Sequence, residues 1–511
     1  MVLVRGGVTL GGQAAGLVGS VSTVAASRFH LAAALLSMVG VSFKGCERVP
    51  PPPGPEMYER RNDRAVALSS VVNRFLLLED LNNDGLTDVV AGGDDGNRQT
   101  KSPIYVFISQ GDGSLLDRTA DYIEGTAEAC SPVAAVGDVN NDGVLDIVVY
   151  DRGNSENPQH PNGGFIGEAP FVMLSGASSG RRWRVETKLA EAYEGLTGDP
   201  KVHSTAVALG DVDGDGDLDI VAESQGGYQM IRTHIVINNG NDTWSPDIQA
   251  FGARLPIEIN QGYPATYAHR HASEVFADLD HDGHVDLVMG QLRRTNNDQD
   301  NLFSKVCWNP GNGYYNIGNV THLRYVPWND GYTYAKSLTV VDLDNDGWED
   351  LILGHERGNN ATLNNGNTGL YLQFLRNLGN RSFADVTEAY FSQPAPMLAE
   401  QTSSYGANYN MAKLKLADMN GDGMLDLVFT ESYGPMSPNQ PFMAFAGSGT
   451  PRWTPVDAEA LITGGESWFG ALSTPIDLNG DGKQDILWPR LVCPGGSCSE
   501  ATTELVPLLA L

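Results

Sequence analysis

The sequence predicts an all-β protein, a seven-bladed β-propeller with four-stranded blades and an acidic loop between strands 1 and 2 of each blade. Three observations favour this fold class. A nine-residue acidic pattern occurs seven times at near-regular spacing, short apolar segments precede and follow each copy, and 59 glycines and 27 prolines among 511 residues indicate many turns. Long amphipathic helical stretches are hard to find in the chain.

The repeated pattern is D-x-[DN]-x-D-G-x-x-D, and successive copies begin 58 to 76 residues apart. Side-chain oxygens at positions 1, 3 and 5 of a tight loop can converge on one point, and the backbone carbonyl of position 7 adds another donor. The Asp at position 9 is expected to close the site with both of its oxygens. Calcium takes six to eight oxygen ligands, so the pattern predicts about seven calcium ions, one in each blade.

The predicted calcium ligands are the residues at positions 1, 3, 5, 7 and 9 of the seven loops. They are Asp80, Asn82, Asp84, Leu86, Asp88, Asp138, Asn140, Asp142, Val144, Asp146, Asp211, Asp213, Asp215, Asp217, Asp219, Asp278, Asp280, Asp282, His284, Asp286, Asp342, Asp344, Asp346, Trp348, Asp350, Asp418, Asn420, Asp422, Met424, Asp426, Asp477, Asn479, Asp481, Lys483 and Asp485.

The other loop positions support a tight turn and exclude an EF-hand. Position 6 is Gly in every copy, and position 4 is Asn, Gly or His, residues that tolerate left-handed backbone. Position 2 is always Leu, Val or Met, which predicts a side chain turned into the core. Position 12, where an EF-hand requires Glu, is apolar in all seven copies.

The segments around each loop are those of a four-stranded blade. Apolar segments such as AVALGD precede the loops, segments such as DLILG follow them, and TGLYLQFLRNLGNRSFADVTEAY adds a third and a fourth strand. This unit, with its hairpin N-x-G-x-x-x-F-x-D-V-T, resembles the FG-GAP or VCBS repeat of integrin-α-type propellers, from about residue 64 to the C-terminus. The resemblance implies calcium ligands at the five positions named above. Asn at position 3 removes one charge from four loops and predicts weaker sites there.

Three segments organise the chain. Residues 1–46 are predicted to be an export signal, because an apolar stretch, His30 to Phe43, follows Arg28. It is either a lipoprotein-type signal with Cys46 as the lipidated residue or an ordinary export signal. Residues 47–63 are predicted to be a Pro-rich linker and residues 64–511 the propeller. The last blade lacks an outer strand, which Arg64 to Ser70 is expected to supply, the alternative being a three-stranded final blade.

Composition narrows the partners and the compartment. A net charge of −30 argues against a nucleic-acid partner, and no apolar run of 18 residues is present, so a membrane would be reached only through a lipid anchor at Cys46. Calcium loops of this kind suit millimolar extracellular calcium, which predicts an extracellular, cell-surface or periplasmic protein, an outer-membrane lipoprotein if lipidated. Cys493 and Cys498 are expected to form a disulfide, and Cys130 and Cys307 to be buried thiols.

The connections on the face opposite the calcium loops are rich in aromatic residues and histidine, which suits stacking on sugars or clamping a peptide. Packing of the upper core is the alternative interpretation. The candidate ligand-binding residues are His203, Tyr267, His269, His271, Trp328, Tyr334, Tyr409 and Trp468.

These features predict a lectin-like adhesion or recognition module for a glycan or a surface protein. One alternative is a lyase-like enzyme that acts on polysaccharide through His269-Arg270-His271, and another is a structural subunit of a cell-surface assembly. The HExxH and P-loop patterns do not occur in the sequence. We therefore assign no catalytic residue from sequence.

Overall fold

The computed structural model divides the chain into two compact units, Met1–Pro53 and Gly54–Leu511, and all residues that it describes belong to the second. The described residues are 58–68, 71–94, 101–130, 132–151, 167–176, 181–224, 233–248, 254–255, 271–293, 304–316, 318–323, 333–357, 369–391, 413–430, 441–457, 475–492 and 502–511. The predicted export signal and the Cys493–Cys498 disulfide lie outside these ranges.

The second unit is a seven-bladed β-propeller with four-stranded blades, as predicted. In blades 1 to 6 the four strands pair antiparallel in chain order. Blade 1 consists of Val71–Glu79, Asp88–Asp94, Tyr105–Ser109 and Leu115–Asp117; blade 2 of Pro132–Gly137, Asp146–Asp151, Phe171–Ser175 and Trp183–Glu186; blade 3 of Ser204–Gly210, Asp219–Ser224, His234–Asn238 and Trp244–Asp247. Blade 4 consists of His271–Ala277, Asp286–Arg293, Lys305–Cys307 and Val320–His322; blade 5 of Thr333–Val341, Asp350–Arg357, Gly369–Asn377 and Phe383–Asp385; blade 6 of Lys413–Ala417, Asp426–Thr430, Pro441–Ala446 and Trp453–Asp457.

Blade 7 combines both ends of the described chain. Ile476 bridges to Asp485, Ile486–Val492 pairs with Thr502–Ala510, and the outer side of that strand is covered by Val66–Leu68 and Tyr58–Arg60. The predicted closure by an N-terminal strand is confirmed for Val66–Leu68. Tyr58–Arg60, which the sequence places in the linker, is a further strand of the same blade. Ring closure of this kind leaves fewer exposed sheet edges.

A few short elements lie outside the blades. The helices are Thr119–Tyr122, Lys188–Thr197 and Thr387–Tyr390, the 3-10 turn is Asn62–Arg64, and Ser102–Pro103 pairs with Glu128–Ala129. Ile123–Glu124 pairs in parallel with strand 4 of blade 2 and adds a fifth strand to that sheet. Among the residues that the structure describes, none of the helices has the length and apolar character needed to cross a membrane.

The cores lie between neighbouring blades. Strands 2 and 3 are apolar at consecutive positions because each of their faces packs against a different blade; Asp146–Asp151 and Phe171–Ser175 are buried throughout. Between blades 5 and 6, the ring of Phe374 stacks on Trp453 with 5.4 Å between centroids. The predicted burial of Cys130 and Cys307 is confirmed.

Candidate functional site

The seven acidic loops share one backbone conformation, and all of them lie between strands 1 and 2. Position 4 has a positive φ in every loop, from +57° at His281 to +77° at Gly214, and the glycine at position 6 has φ between +83° and +93°. The side chain at position 2 is buried in every loop, as in Leu279. The sequence-based predictions for these three positions are therefore confirmed.

The aspartates at positions 1 and 5 shape the loop by accepting backbone hydrogen bonds. In blade 1, Oδ2 of Asp80 accepts from the Gly85 amide at 2.8 Å, and Oδ1 of Asp84 accepts from the Leu86 amide at 2.9 Å. The equivalent two bonds occur in all seven loops. Side-chain acceptors of this kind stabilise tight turns because they satisfy amides that no strand can pair.

The aspartate at position 9 is fully buried and ties the loop to strand 3. Oδ2 of Asp286 accepts from the amide of Leu279 at 3.1 Å, and Oδ1 accepts from the amide of Asn309, just after strand 3, at 2.8 Å. The same pair of bonds occurs in the other six blades. Each oxygen keeps a further lone pair, so this role is compatible with the predicted coordination of calcium by position 9.

Burial changes the acidity of the position-9 carboxyl groups. It raises the pKa of Asp219 and of Asp286 to about 7 and that of Asp88 to about 6, against the opposing effect of the backbone hydrogen bonds. The neighbouring loop carboxylates contribute in the same direction as burial. A bound cation would favour the ionised form, because it supplies the opposite charge within a few ångströms.

Position 3 divides the loops into two types. In blades 1, 2, 6 and 7 it is Asn, whose Oδ1 accepts from the amide of position 5, as in Asn82 to Asp84 at 2.9 Å. In blades 3, 4 and 5 it is Asp213, Asp280 and Asp344, and Oδ1 of each is buried without a hydrogen-bond partner. Oδ2 of each of these three aspartates instead pairs with an arginine.

The residues of these three loops fit a hard divalent cation. Carboxylate oxygens of positions 1, 3 and 9 lie within 4.8 Å of one another in blades 3 and 5, and in blade 4 those of positions 1, 3 and 5 do so. The donors are all oxygens, which calcium prefers, and the unpartnered Oδ1 of position 3 is an acceptor without a donor. A buried acceptor of this kind costs free energy unless a proton donor or a cation meets it.

The structure describes only part of the predicted ligand-binding set. His203 is buried immediately before strand 1 of blade 3. His271 pairs with Gln291 and Tyr334 with Leu292, so the backbones of these two candidates flank the same end of strand 2 in blade 4. The remaining candidates lie outside the described residues: Tyr267, His269, Trp328, Tyr409 and Trp468.

Two buried acids that the sequence did not single out lie on adjacent blades. Glu223 is near the end of strand 2 of blade 3 that lies away from the acidic loop, and Glu274 is in the middle of strand 1 of blade 4. Burial raises the pKa of Glu274 well above its usual range, and the charge of Glu223 adds to this effect. An acid inside an otherwise apolar strand, as in DIVAES, was the signal available in the sequence.

Comparison with known proteins places this geometry among repeat propellers. The model of the FG-GAP-like repeat matches residues 80–149, 278–353, 342–429 and 418–488, which together cover more than half of the chain. The chain is similar to Integrin alpha-3 from Mus musculus, at 26% identity over 101 residues, which is 19% of this chain and 10% of the integrin. The chain therefore matches only about a tenth of the length of that curated relative.

Solved structures with a similar arrangement are remote in sequence. One is a lectin from Agrocybe aegerita described as recognising non-reducing terminal N-acetylglucosamine (TM-score 0.44, 16% identity, 86% of this chain and 94% of that one). Another is the exotype rhamnogalacturonan lyase YesX (TM-score 0.35, 13% identity, 89% of this chain and 75% of that one). A third is the V. cholerae biofilm matrix protein Bap1 (TM-score 0.31, 11% identity, 89% and 91%).

Proposed function

The chain belongs to the family of FG-GAP-like repeat proteins, and on that premise we propose that it is an exported, calcium-binding β-propeller that acts as an adhesion or recognition module. Its ligand is a glycan or a surface protein, bound on the face opposite the calcium loops. Calcium has a structural part in this proposal, and the connections on the opposite face provide the specificity.

One observation supports the calcium part above the others. Oδ1 of Asp280 is buried without a hydrogen-bond partner in a side chain that is only 9% exposed, and it belongs to a group of three converging carboxylates. An ion at this point would satisfy the oxygen and offset the repulsion between the acids. Extracellular calcium reaches the millimolar range in which weak sites of this kind fill, which is the reason for proposing an exported protein.

The recognition part is supported by where the strands end. Strand 2 runs from the calcium loop towards the opposite face. The connection from strand 2 to strand 3, and the connection from strand 4 to the next blade, therefore both lie on that opposite face. Several are long: residues 152–170, 294–304, 358–368 and 392–412 separate consecutive strands. Connections on a rigid scaffold are where binding residues concentrate. Tyr409 lies in the last of these, and Tyr267, His269, Trp328 and Trp468 lie in other connections between strand 4 of one blade and strand 1 of the next.

The test is a glycan array probed with residues 47–511 loaded with calcium. Hits are retested with Trp468→Ala and Tyr409→Ala, and with Tyr314→Ala as the matched control. Tyr314 is 47% exposed but lies in a hairpin between strands 3 and 4, on the same face as the calcium loops. Hits that are lost in the first two variants and kept in the third support the proposal. An array without hits would refute glycan recognition and direct the search to a surface protein.

The buried acids favour an enzyme as the second candidate. Glu223 and Glu274 approach closely enough for their charges to interact, and a carboxyl group with a raised pKa can donate a proton near neutral pH. With His269-Arg270-His271 on the adjoining connection, such a group would suit cleavage of an anionic polysaccharide. Release of fragments from a uronic-acid polymer by the wild type, but not by Glu274→Gln, would support this candidate over the first. Salt-resistant self-association without any ligand would instead indicate a structural subunit.

A further inference from the structure

An arginine accompanies each calcium loop that has the additional carboxylate. Arg254 pairs with Asp213 in blade 3 at 3.1 Å, Arg376 pairs with Asp344 in blade 5 at 3.3 Å, and Arg381 pairs with Asp280 in blade 4. In the described residues no arginine or lysine pairs with an acid of the four loops that have Asn at position 3.

The three arginines come from different elements. Arg254 follows strand 4 of blade 3 and lies over the ring of Tyr314, with 4.8 Å from the guanidinium carbon to the ring centroid. Arg376 is on strand 3 of blade 5. Arg381 is in the next hairpin of blade 5 and reaches back to the loop of blade 4, over the ring of Trp308 at 5.2 Å. Three different elements of the fold therefore supply the same charge pair. An arginine at one position of the repeat that happened to lie near the loop would instead come from the same element in each blade.

The arginines make the formal charge at positions 1, 3, 5 and 9 equal in the seven loops. The loops of blades 3, 4 and 5 have four carboxylates at positions 1, 3, 5 and 9 and one guanidinium, and the other loops have three carboxylates and none. In three of the Asn loops, the amide Nδ2 donates to the position-5 carboxylate, as in Asn82 to Asp84 at 2.8 Å. A donor thus lies beside the acids in both types of loop.

We propose that Arg254, Arg376 and Arg381 are built-in counter-ions that stabilise the metal-free loops of blades 3 to 5 and weaken calcium binding to them. This inference rests on the proposed binding of calcium. Each arginine forms an ion pair with Oδ2 of the position-3 aspartate, while Oδ1 of the same carboxylate is buried and without a hydrogen-bond partner. Calcium and the guanidinium can therefore share one carboxylate, and the two cations repel each other across it.

Blade 5 offers a site-specific test, because position 7 of its loop is Trp348. Tb³⁺ is the probe: it replaces Ca²⁺ at oxygen sites, and its emission excited through tryptophan reports on the loop that contains the tryptophan. Trp348→Phe in the full chain identifies the part of the signal that Trp348 excites. Because Trp348 also stacks on His281 of the blade-4 loop, the comparison is made in a chain whose blade-4 loop is disabled by Asp278→Ala. Arg376→Gln removes the charge and keeps a donor for Asp344, and the 42% exposure of the arginine side chain makes the substitution compatible with folding.

We expect Arg376→Gln to tighten Tb³⁺ binding at this loop about tenfold, from the loss of one nearby positive charge. Competition with Ca²⁺ should give the same ratio. The variant should melt at a lower temperature than the wild type in excess chelator, and not in saturating calcium. Arg118→Gln is the control, since Arg118 pairs with Asp121, which is outside the loops. Arg376→Lys, which keeps the charge, should bind as the wild type does.

Asp344→Asn completes the cycle. Alone, Asp344→Asn should weaken Tb³⁺ binding. Combined with Arg376→Gln it should restore nearly the wild-type affinity, because the loop then has Asn at position 3 and no arginine, as in blade 1. Unchanged or weaker binding in Arg376→Gln, in a wild type that binds Tb³⁺ and Ca²⁺, would overturn the role of the arginines. A wild type that binds neither ion would overturn the calcium proposal itself.

Discussion

Asn309 offers a stringent test of how the blades are held together. The side chain is fully buried immediately after strand 3 of blade 4. Its Nδ2 donates to the carbonyl of Val212 in blade 3 at 2.8 Å and to that of Val285 at 3.2 Å, and its Oδ1 accepts from the amide of Gly311 at 3.0 Å. Val212 is position 2 of the blade-3 acidic loop, so one amide joins two adjacent blades beside two loops.

Asn309→Ala should lower the free energy of unfolding by about 3 kcal/mol. The carbonyl of Val212 loses a buried donor, which costs roughly 1–3 kcal/mol, and loss of the bond to Gly311 adds about 1 kcal/mol. The carbonyl of Val285 also accepts from the Tyr315 hydroxyl at 3.2 Å, so it contributes little to the loss. The hydrogen bond between the backbone of Asn309 and Asp286 does not involve the replaced side chain.

The assay is urea-induced unfolding in saturating calcium, followed by tryptophan fluorescence and by far-UV circular dichroism. The control is Asn239→Ala, in the equivalent hairpin of blade 3. Its Nδ2 makes exposed contacts to the Thr243 carbonyl at 3.3 Å and to the Ser245 hydroxyl at 3.0 Å, so its loss should cost less than about 0.5 kcal/mol. Equal stability of the two variants would refute the argument that this amide joins the blades.

Three further outcomes follow from the same contacts. Replacing Asp211, Asp213 and Asp215 together by Ala should lower the melting temperature more in calcium than in excess chelator, where only the loop hydrogen bonds and the pair with Arg254 are lost. Equal melting of the wild type with and without chelator would contradict coupling of calcium to folding. Burial lowers the pKa of His355 to about 4, whereas in the unfolded chain it is about 6.5. The free energy of unfolding should therefore fall by up to about 3 kcal/mol as the pH decreases from 6.5 towards 4, because protonation of this histidine favours the unfolded chain. His355→Gln should flatten that part of the stability–pH curve, measured by urea unfolding. Trp453→Ala should lower the free energy of unfolding by about 3–5 kcal/mol in the same assay, because the ring is buried between blades 5 and 6. A decrease below about 1 kcal/mol would contradict its place in that core.

The loops could be predicted from sequence because their determinants are local. Buried position 2, left-handed position 4 and glycine at position 6 recur at fixed offsets within nine residues. The role of position 9 in holding strand 3 could not be predicted, because its partner amide lies 19 residues downstream in blade 3 and 29 in blade 2. The arginines escaped notice for the same reason: Arg376 and Arg381 follow their aspartates by 32 and 101 residues.

The ligand face was the least predictable part of the candidate site. The connections that form it have no repeated pattern, so aromatic composition was the only guide to residues such as Tyr409 and Trp468. His203, chosen on the same ground, is buried. Glu223 and Glu274 come together only because adjacent blades pack side by side. The spacing of residues within one repeat cannot predict a contact between residues of two different repeats.

Contacts between neighbouring loops suggest how the metal sites could act on the opposite face. Nδ2 of Asn141 in the blade-2 loop donates to Asp217 in the blade-3 loop at 2.6 Å, and the ring of His281 in the blade-4 loop stacks on Trp348 in the blade-5 loop at 4.4 Å. In both cases position 4 of one loop meets position 7 of the next. Because the arginines equalise the charge at positions 1, 3, 5 and 9, we expect the sites to fill over one range of calcium concentration. The contacts between loops fix adjacent loops together. Because position 9 ties each loop to strands 2 and 3, we expect calcium to order the far ends of those strands without contacting the ligand itself.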